Sequence, residues 1–191
     1  MAYEEPHYTV LQSYELFELR KYESTVVAEV HVEGDFDDVG GLAFRKLFNF
    51  ISNDDRPEGK IAMTAPVIQQ PLSSETLPAD DSATFSDNQI IPARSYRFAF
   101  FMPSGYNVST LPKPLDQDIL VKTVSPRLMA VRSYSGTWSE ERYRKNERIL
   151  LEAIQEAGLQ ALSPPIFARY NAPFSLWFLR RNEVLVEVAR P

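Results

Sequence analysis

The chain runs through one order of elements twice, and this repeat limits its possible folds more than any other feature. ELFELRKY (15–22) alternates polar and apolar residues and reads as a strand. STVVAEVHVEG (24–34) reads as its hairpin partner, with Val26, Ala28, Val30 and Val32 on one face. GDFD, Gly34 to Asp37, comes next, and Asp37 is a good N-cap for a helix over 37–52. After a turn over 53–59, KIAMTAPVIQQ (60–70) reads as a strand. A long Ser-, Asp- and Pro-rich loop over 71–93 leads to the β-prone SYRFAFFMP, 95–103. Beyond a Pro-rich connection the order recurs. DILVKTVSP (118–126) and RLMAVRSYSG (127–136) read as strands, and GTWS (136–139) opens a helix running to about Ala157, with Gly158 as its C′ residue. PPIFARYNAP (164–173) and NEVLVEVA (182–189) complete the set.

The two tetrapeptides GDFD and GTWS stand 102 positions apart, and the two Ala-Pro pairs 107 apart. Each half exposes a sheet face that it cannot bury alone, so the halves should share one core. The expected fold is α+β: one domain over 1–191, made of halves at about 14–103 and 117–190. It should be a distorted antiparallel β-barrel, or barrel-like sheet, with two helices outside it. The Ala-Pro pairs should end equivalent strands, because proline cannot donate to a ladder and holds its predecessor extended.

The composition is that of an ordinary globular protein, 44% hydrophobic and 24% charged. A net charge of −6 without any Lys- or Arg-rich block argues against a nucleic-acid partner and against an electrostatic membrane anchor. No apolar run approaches the roughly 20 residues of a membrane span. There are no cysteines, which excludes disulfides and thiolate chemistry and fits a reducing compartment. The acidic start MAYEEPHYTVLQ lacks a signal pattern, so a cytoplasmic location is expected.

The halves differ in ways that point to a site. On the first helix Val39, Ala43, Leu47, Phe50 and Ile51 share one arc, which should cover the sheet. Phe44 and Phe48 lie further round, beside Gly40 and Gly41, where two glycines are tolerated best if something must approach the backbone. The second helix has only a narrow stripe of Tyr143, Leu150, Ile154 and Ala157. After the second Ala-Pro, Phe174, Leu176, Trp177, Phe178 and Leu179 crowd a loop, followed by Arg180 and Arg181. The apolar loop and the Phe44/Phe48 side of the helix would wall a groove for a flat apolar ligand with acidic groups. The plainer alternatives are that the two Phe belong to the core, that the loop folds inward, and that the arginines are solvated or pair with Glu183.

PHYTVLQSYELFELRKY, LFNFIS before KIAMTAPV, FAFFMPSGY before PKPLDQDI, and YNAPF before RRNEV resemble the SOUL family of haem-binding proteins over nearly the whole chain. The resemblance implies a distorted β-barrel with two flanking helices and a monomeric, soluble binder of haem and other tetrapyrroles. It also implies a largely hydrophobic pocket between the first helix and the loop before the last strand, with basic residues near the propionates. Carried over, the positions are Phe44, Arg45 and Phe48 on the helix, with Tyr170, Phe174, Trp177, Phe178 and Arg180 on the loop. A first-strand histidine proposed as an axial ligand in one branch is matched by Lys21, and a helix-one arginine of another by Gly41, leaving Arg45 to substitute one turn on.

Haem iron takes His, Cys, Met or Tyr. His7 reads as a surface residue, and His31 alternates with the inward valines, so a structural role is expected for it. Met63 should pack, and Tyr170 is a weak ligand candidate. Binding is therefore expected mainly through apolar contact, with ligation weak or absent. The sequence has no G-x-S-x-G, phosphate loop or H-E-x-x-H, so it reads as a binder rather than an enzyme. The alternatives are a haem-modifying enzyme and a module for another apolar metabolite or a protein partner.

Overall fold

A computed structural model describes residues 3–53, 59–72, 95–171 and 175–189. Its strands are β1 (Tyr8–Ser13), β2 (Glu18–Tyr22), β3 (Thr25–Glu33), β4 (Val67–Pro71), β5 (Ser95–Phe101), β6 (Leu120–Val124), β7 (Arg127–Ser135), β8 (Gln160–Ala161), β9 (Ile166–Arg169) and β10 (Arg181–Ala189). The helices are α1 (Val39–Ser52) and α2 (Glu140–Glu156), with a short 3-10 turn at Trp177–Leu179. The strands form one antiparallel sheet in the order β1-β2-β7-β10-β9-β4-β5-β3-β6, with β8 beside β10 off this path. This is the expected α+β architecture, a curled half-barrel sheet with two helices.

The two halves meet at β4 and β9, where Ile68 opposes Ala168 between the pairs Val67↔Arg169 and Gln69↔Phe167. Reading outward from this pair, β5 matches β10, β3 matches β7 and β6 matches β2. The expected hairpin between 15–22 and 24–34 does not form. Strand β2 lies between β1 and β7, whereas β3 lies between β5 and β6. Each half thus lends its first strand to the other. The links are only Glu23-Ser24 and Ser125-Pro126, yet they join strands from opposite ends of the sheet order. They can do so only because the sheet is curled enough to bring its two ends together. A two-residue link reads as a hairpin turn in sequence, and nothing local distinguishes it from a step across a curled sheet.

Two further corrections concern strand ends. Val67–Pro71 is the only strand within 60–71; Thr64 makes just an isolated bridge to Glu4. Ala65-Pro66, joined by a cis peptide bond, therefore precedes β4 rather than ending a strand. Ala172-Pro173 lies outside the described residues. The lead also contains a strand, β1, whose six residues are all exposed and give no burial pattern to read.

The alternation of side chains gives the sheet two apolar faces. Val26, Ala28, Val30, Tyr96, Phe98, Phe100, Phe167, Val184 and Val186 face the helices and form the main core. Val27, Ile68, Ala99, Met129, Val131, Ile166, Ala168 and Leu185 form a second cluster on the other face. Tyr22 of β2 and Val124 of β6, from near opposite ends of the sheet, line one small cleft there, which makes this the inside of the curl. Helix α1 buries Val39, Ala43, Leu47, Phe50 and Ile51, the arc expected from its periodicity. Its N-cap is Asp38 rather than Asp37. No side chain caps it; the Asp35 carbonyl instead accepts from the amides of Asp38 and Val39, both at 3.1 Å. Helix α2 ends as expected: Gly158 at φ +68° donates to Gln155 O, and Leu159 donates to Ile154 O, the Schellman pattern.

Candidate functional site

Gly40, Phe44 and Phe48 are spaced by four residues and form one row along α1, at the margin of its buried arc. Phe44 is half-buried, packing edge-on against Phe100 and stacking on Phe48 at 5.6 Å. Phe48 completes the row and is 43% exposed. The core reading is therefore correct for much of Phe44 and not for Phe48. Arg45 is exposed one turn beyond Gly41.

Above Gly40 lies Arg169, the last residue of β9. Residues 167 and 169 share a strand face, so Arg169 points to the helix side together with the buried Phe167. A Cβ on Gly40 would stand 3.0 Å from Arg169 Nη1, whereas one on Gly41 would meet open space. The guanidinium lies 4.8 Å from the Phe167 ring centroid and 5.4 Å from that of Trp138. Its Nη2 donates to Gln69 Oε1. Its Nε is buried without a hydrogen-bond partner, as is the hydroxyl of Tyr134, whose ring stacks on Phe167 at 6.4 Å. Burial lowers the Arg169 pKa to about 10 and pushes that of the Tyr134 phenol up; each group acts electrostatically on the other.

Trp138 occupies in GTWS the place that Phe36 holds in GDFD. Phe36 is buried and stacks on Tyr143 and Phe167, but Trp138 is half-buried and donates Nε1–H to Asn182 Oδ1 at 2.9 Å. The Arg180 guanidinium sits 4.3 Å from the Trp138 centroid and donates Nε–H to the Ser175 carbonyl at 3.0 Å. Arg180 directly follows the 3-10 turn, so Trp138 and Arg169 connect that turn to the start of α1. Within the turn Trp177 and Phe178 meet edge-on at 5.6 Å and are 55% and 52% exposed, flanked by exposed Leu176 and Leu179. Residues 176–179 do not fold inward. Among the described residues, no ring pair joins the α1 rings to those of the turn.

One of the expected loop residues lies elsewhere. Tyr170 is on the inner face of the curl, where its hydroxyl donates to Glu183 Oε2 at 2.5 Å and the Arg181 guanidinium covers its ring at 3.4 Å. Burial, with the Glu183 charge second, raises its pKa well above the usual phenol range. Alternation along β9 separates Tyr170 from Arg169, and so from Phe44 and Phe48. Phe174 lies outside the described residues. Glu183 also takes Arg20 Nη1 at 3.1 Å and Ser133 Oγ at 2.9 Å, while Arg181 pairs with Glu5 at 2.5 Å. In RRNEV, then, one arginine stacks on Trp138 and the other charges brace the inner face. Trp138 and Arg169 were missed in the sequence reading. The signal for Arg169 was its alternation with Phe167, which places a cation on a buried face.

The two histidines are remote from this face. His31 shares the inner side of β3 with Glu29, its Nε2 3.9 Å from that carboxylate, and His7 belongs to the N-terminal lead beside Glu23. Among the described residues no group of three or more His, Asp or Glu could hold a metal ion, and no helix is long and apolar enough to cross a membrane.

Solved structures share the fold at very low sequence identity. The EcmrR C-terminal domain superposes with a TM-score of 0.65 at 9% identity, over 96% of this chain and 99% of that one. A Listeria innocua protein described as a hydrolase gives 0.63 at 10% identity, over 94% of each. Sequence comparison finds Heme-binding protein 2 of Homo sapiens, 27% identical across 87% of this chain and 79% of that protein. The Mus musculus protein of the same name is 26% identical across 90% and 81%. The sequence pattern described as SOUL heme-binding protein matches residues 3–187, and the chain belongs to that family.

Proposed function

We propose that the protein binds haem or a related tetrapyrrole in a groove between α1 and the 3-10 turn, held mainly by apolar contact. Phe44, Phe48, Trp177 and Phe178 would meet the macrocycle, and Arg45 and Arg180 would face its acidic edge. The observation that supports this reading is a pair of exposed aromatic groups from distant parts of the chain, one on α1 and one in the turn, linked through Arg180, Trp138 and Arg169. Exposed rings of this size are unusual outside binding surfaces. Arg169 and Trp138 between them add a cationic, aromatic centre suited to a flat acid. The donor set fits a tetrapyrrole: His7 and His31 are remote, Met102 and Met129 are buried in the two clusters, Tyr170 is committed to Glu183, and the Tyr134 hydroxyl lies near Phe167 without a hydrogen-bond partner. When bound, haem would supply the light absorption and redox chemistry of its iron, and this chain would supply shape and charge.

A paired titration with hemin and iron-free protoporphyrin IX tests the reading, followed by the Soret band and by tryptophan quenching. Both should bind, with dissociation constants within a few-fold of one another. A preference for hemin of about 100-fold or more would be equivalent to roughly 2.7 kcal/mol and would overturn binding by apolar contact alone.

A further inference from the structure

Arg169 carries more than general basicity. A guanidinium enclosed by rings is normally matched by a carboxylate, since an uncompensated cation in such surroundings is strongly disfavoured. Here its hydrogen-bond partner is the neutral Gln69, and its Nε has none. Asp37, the carboxylate that acts on it electrostatically, is exposed and makes no ion pair with it. Three buried side-chain polar atoms lack partners among the described residues, and two of them, Arg169 Nε and the Tyr134 hydroxyl, belong to this one spot beside Phe167. Gly40 leaves room for Nη1 at the head of the Gly40–Phe44–Phe48 row.

We infer that Arg169, supported by the Tyr134 hydroxyl, is the receptor for a carboxylate of the ligand, and that the ligand's apolar body then lies along Phe44 and Phe48. This rests on the groove reading and deepens it. Arg169 would set specificity for acids, while the rings bind acid and neutral forms alike. No bond is made or broken; the carboxylate accepts hydrogen bonds from a guanidinium that lacks an anionic partner. Such charge-assisted bonds are worth about 1.5–3 kcal/mol, or about 10- to 150-fold in affinity.

The test compares protoporphyrin IX with its dimethyl ester on the wild type, Arg169→Gln and Tyr134→Phe, with circular dichroism to verify folding. The wild type should bind the diacid about 10-fold or more tighter than the ester. Arg169→Gln should lose that preference and leave ester affinity within about two-fold. Tyr134→Phe should lose a smaller part of the same preference. A wild type that does not distinguish acid from ester, or a preference that survives Arg169→Gln, overturns the inference. If Arg169→Gln does not fold, Gly40→Ala takes its place. Its Cβ would crowd Nη1 at 3.0 Å and should lower diacid affinity alone; equal loss for the ester overturns the inference. If neither porphyrin binds the wild type, the groove reading falls, and benzoate against benzamide decides Arg169 separately. Benzoate should raise the melting temperature of the wild type and not of Arg169→Gln, and benzamide neither. A benzoate effect absent from the wild type, or present in both proteins, sinks the role of Arg169 as well.

Discussion

Gly40 and Gly41 lack side chains for different reasons, and mutation should separate them. Gly41 faces open space, so Gly41→Ala should stabilise the helix by about 0.5–1 kcal/mol. Gly40→Ala gains the same propensity but pushes on Arg169 Nη1 and should stabilise less. Urea unfolding of the two variants checks the difference. Phe48→Asp places a charge on an exposed position of the row, so it should leave the circular dichroism spectrum intact while porphyrin affinity falls at least 10-fold. Unchanged affinity would remove α1 from the site. At this scale the sequence showed which residues were unusual but not what they met. The doubled glycine and the spare phenylalanines stood out, but the partner of Gly40 is a side chain 129 positions further on.

The helices were legible because their cause is local. A 3.6-residue period of apolar side chains predicted every buried residue of α1, and Gly158 predicted the end of α2. Gly158→Ala must hold φ +68° with a Cβ and should lower stability by about 1 kcal/mol, measured by thermal or urea unfolding. The strands were also legible as strands, since β-branched and aromatic residues alternate in them. Their partners were not. Pairing depends on which edges the curl brings together, and β2 finds β7 because Leu19 continues the helix-side core while Arg20 reaches Glu183 two strands away. The same limit hid part of the site: Arg169 and Tyr170 are neighbours in sequence and stand on opposite sides of a sheet.

For the molecule as a whole, alkaline pH should be the sensitive direction. Tyr22, Tyr96, Tyr134, Tyr143 and Tyr170 all have phenols raised by burial, Tyr22 to about 12. A folded pKa above the unfolded one means that the native state keeps protons the unfolded chain releases. Stability from these groups is complete below about pH 10 and declines as pH rises past it. Arg169, lowered to about 10, works the other way, because above that pH the unfolded chain holds the extra proton. Five phenols outweigh one guanidinium, so the urea midpoint should drop between about pH 10 and 12, with tyrosinate absorbance near 295 nm rising in step with unfolding. The exchange of first strands has its own consequence. A fragment ending within 104–116 would keep β2 but lack β7 to receive it, and its β3 would lose the neighbour that β6 provides. Produced alone, it should pair with a copy of itself or aggregate through its open edges; supplied with the complementary fragment, it should reassemble into a folded, nicked protein.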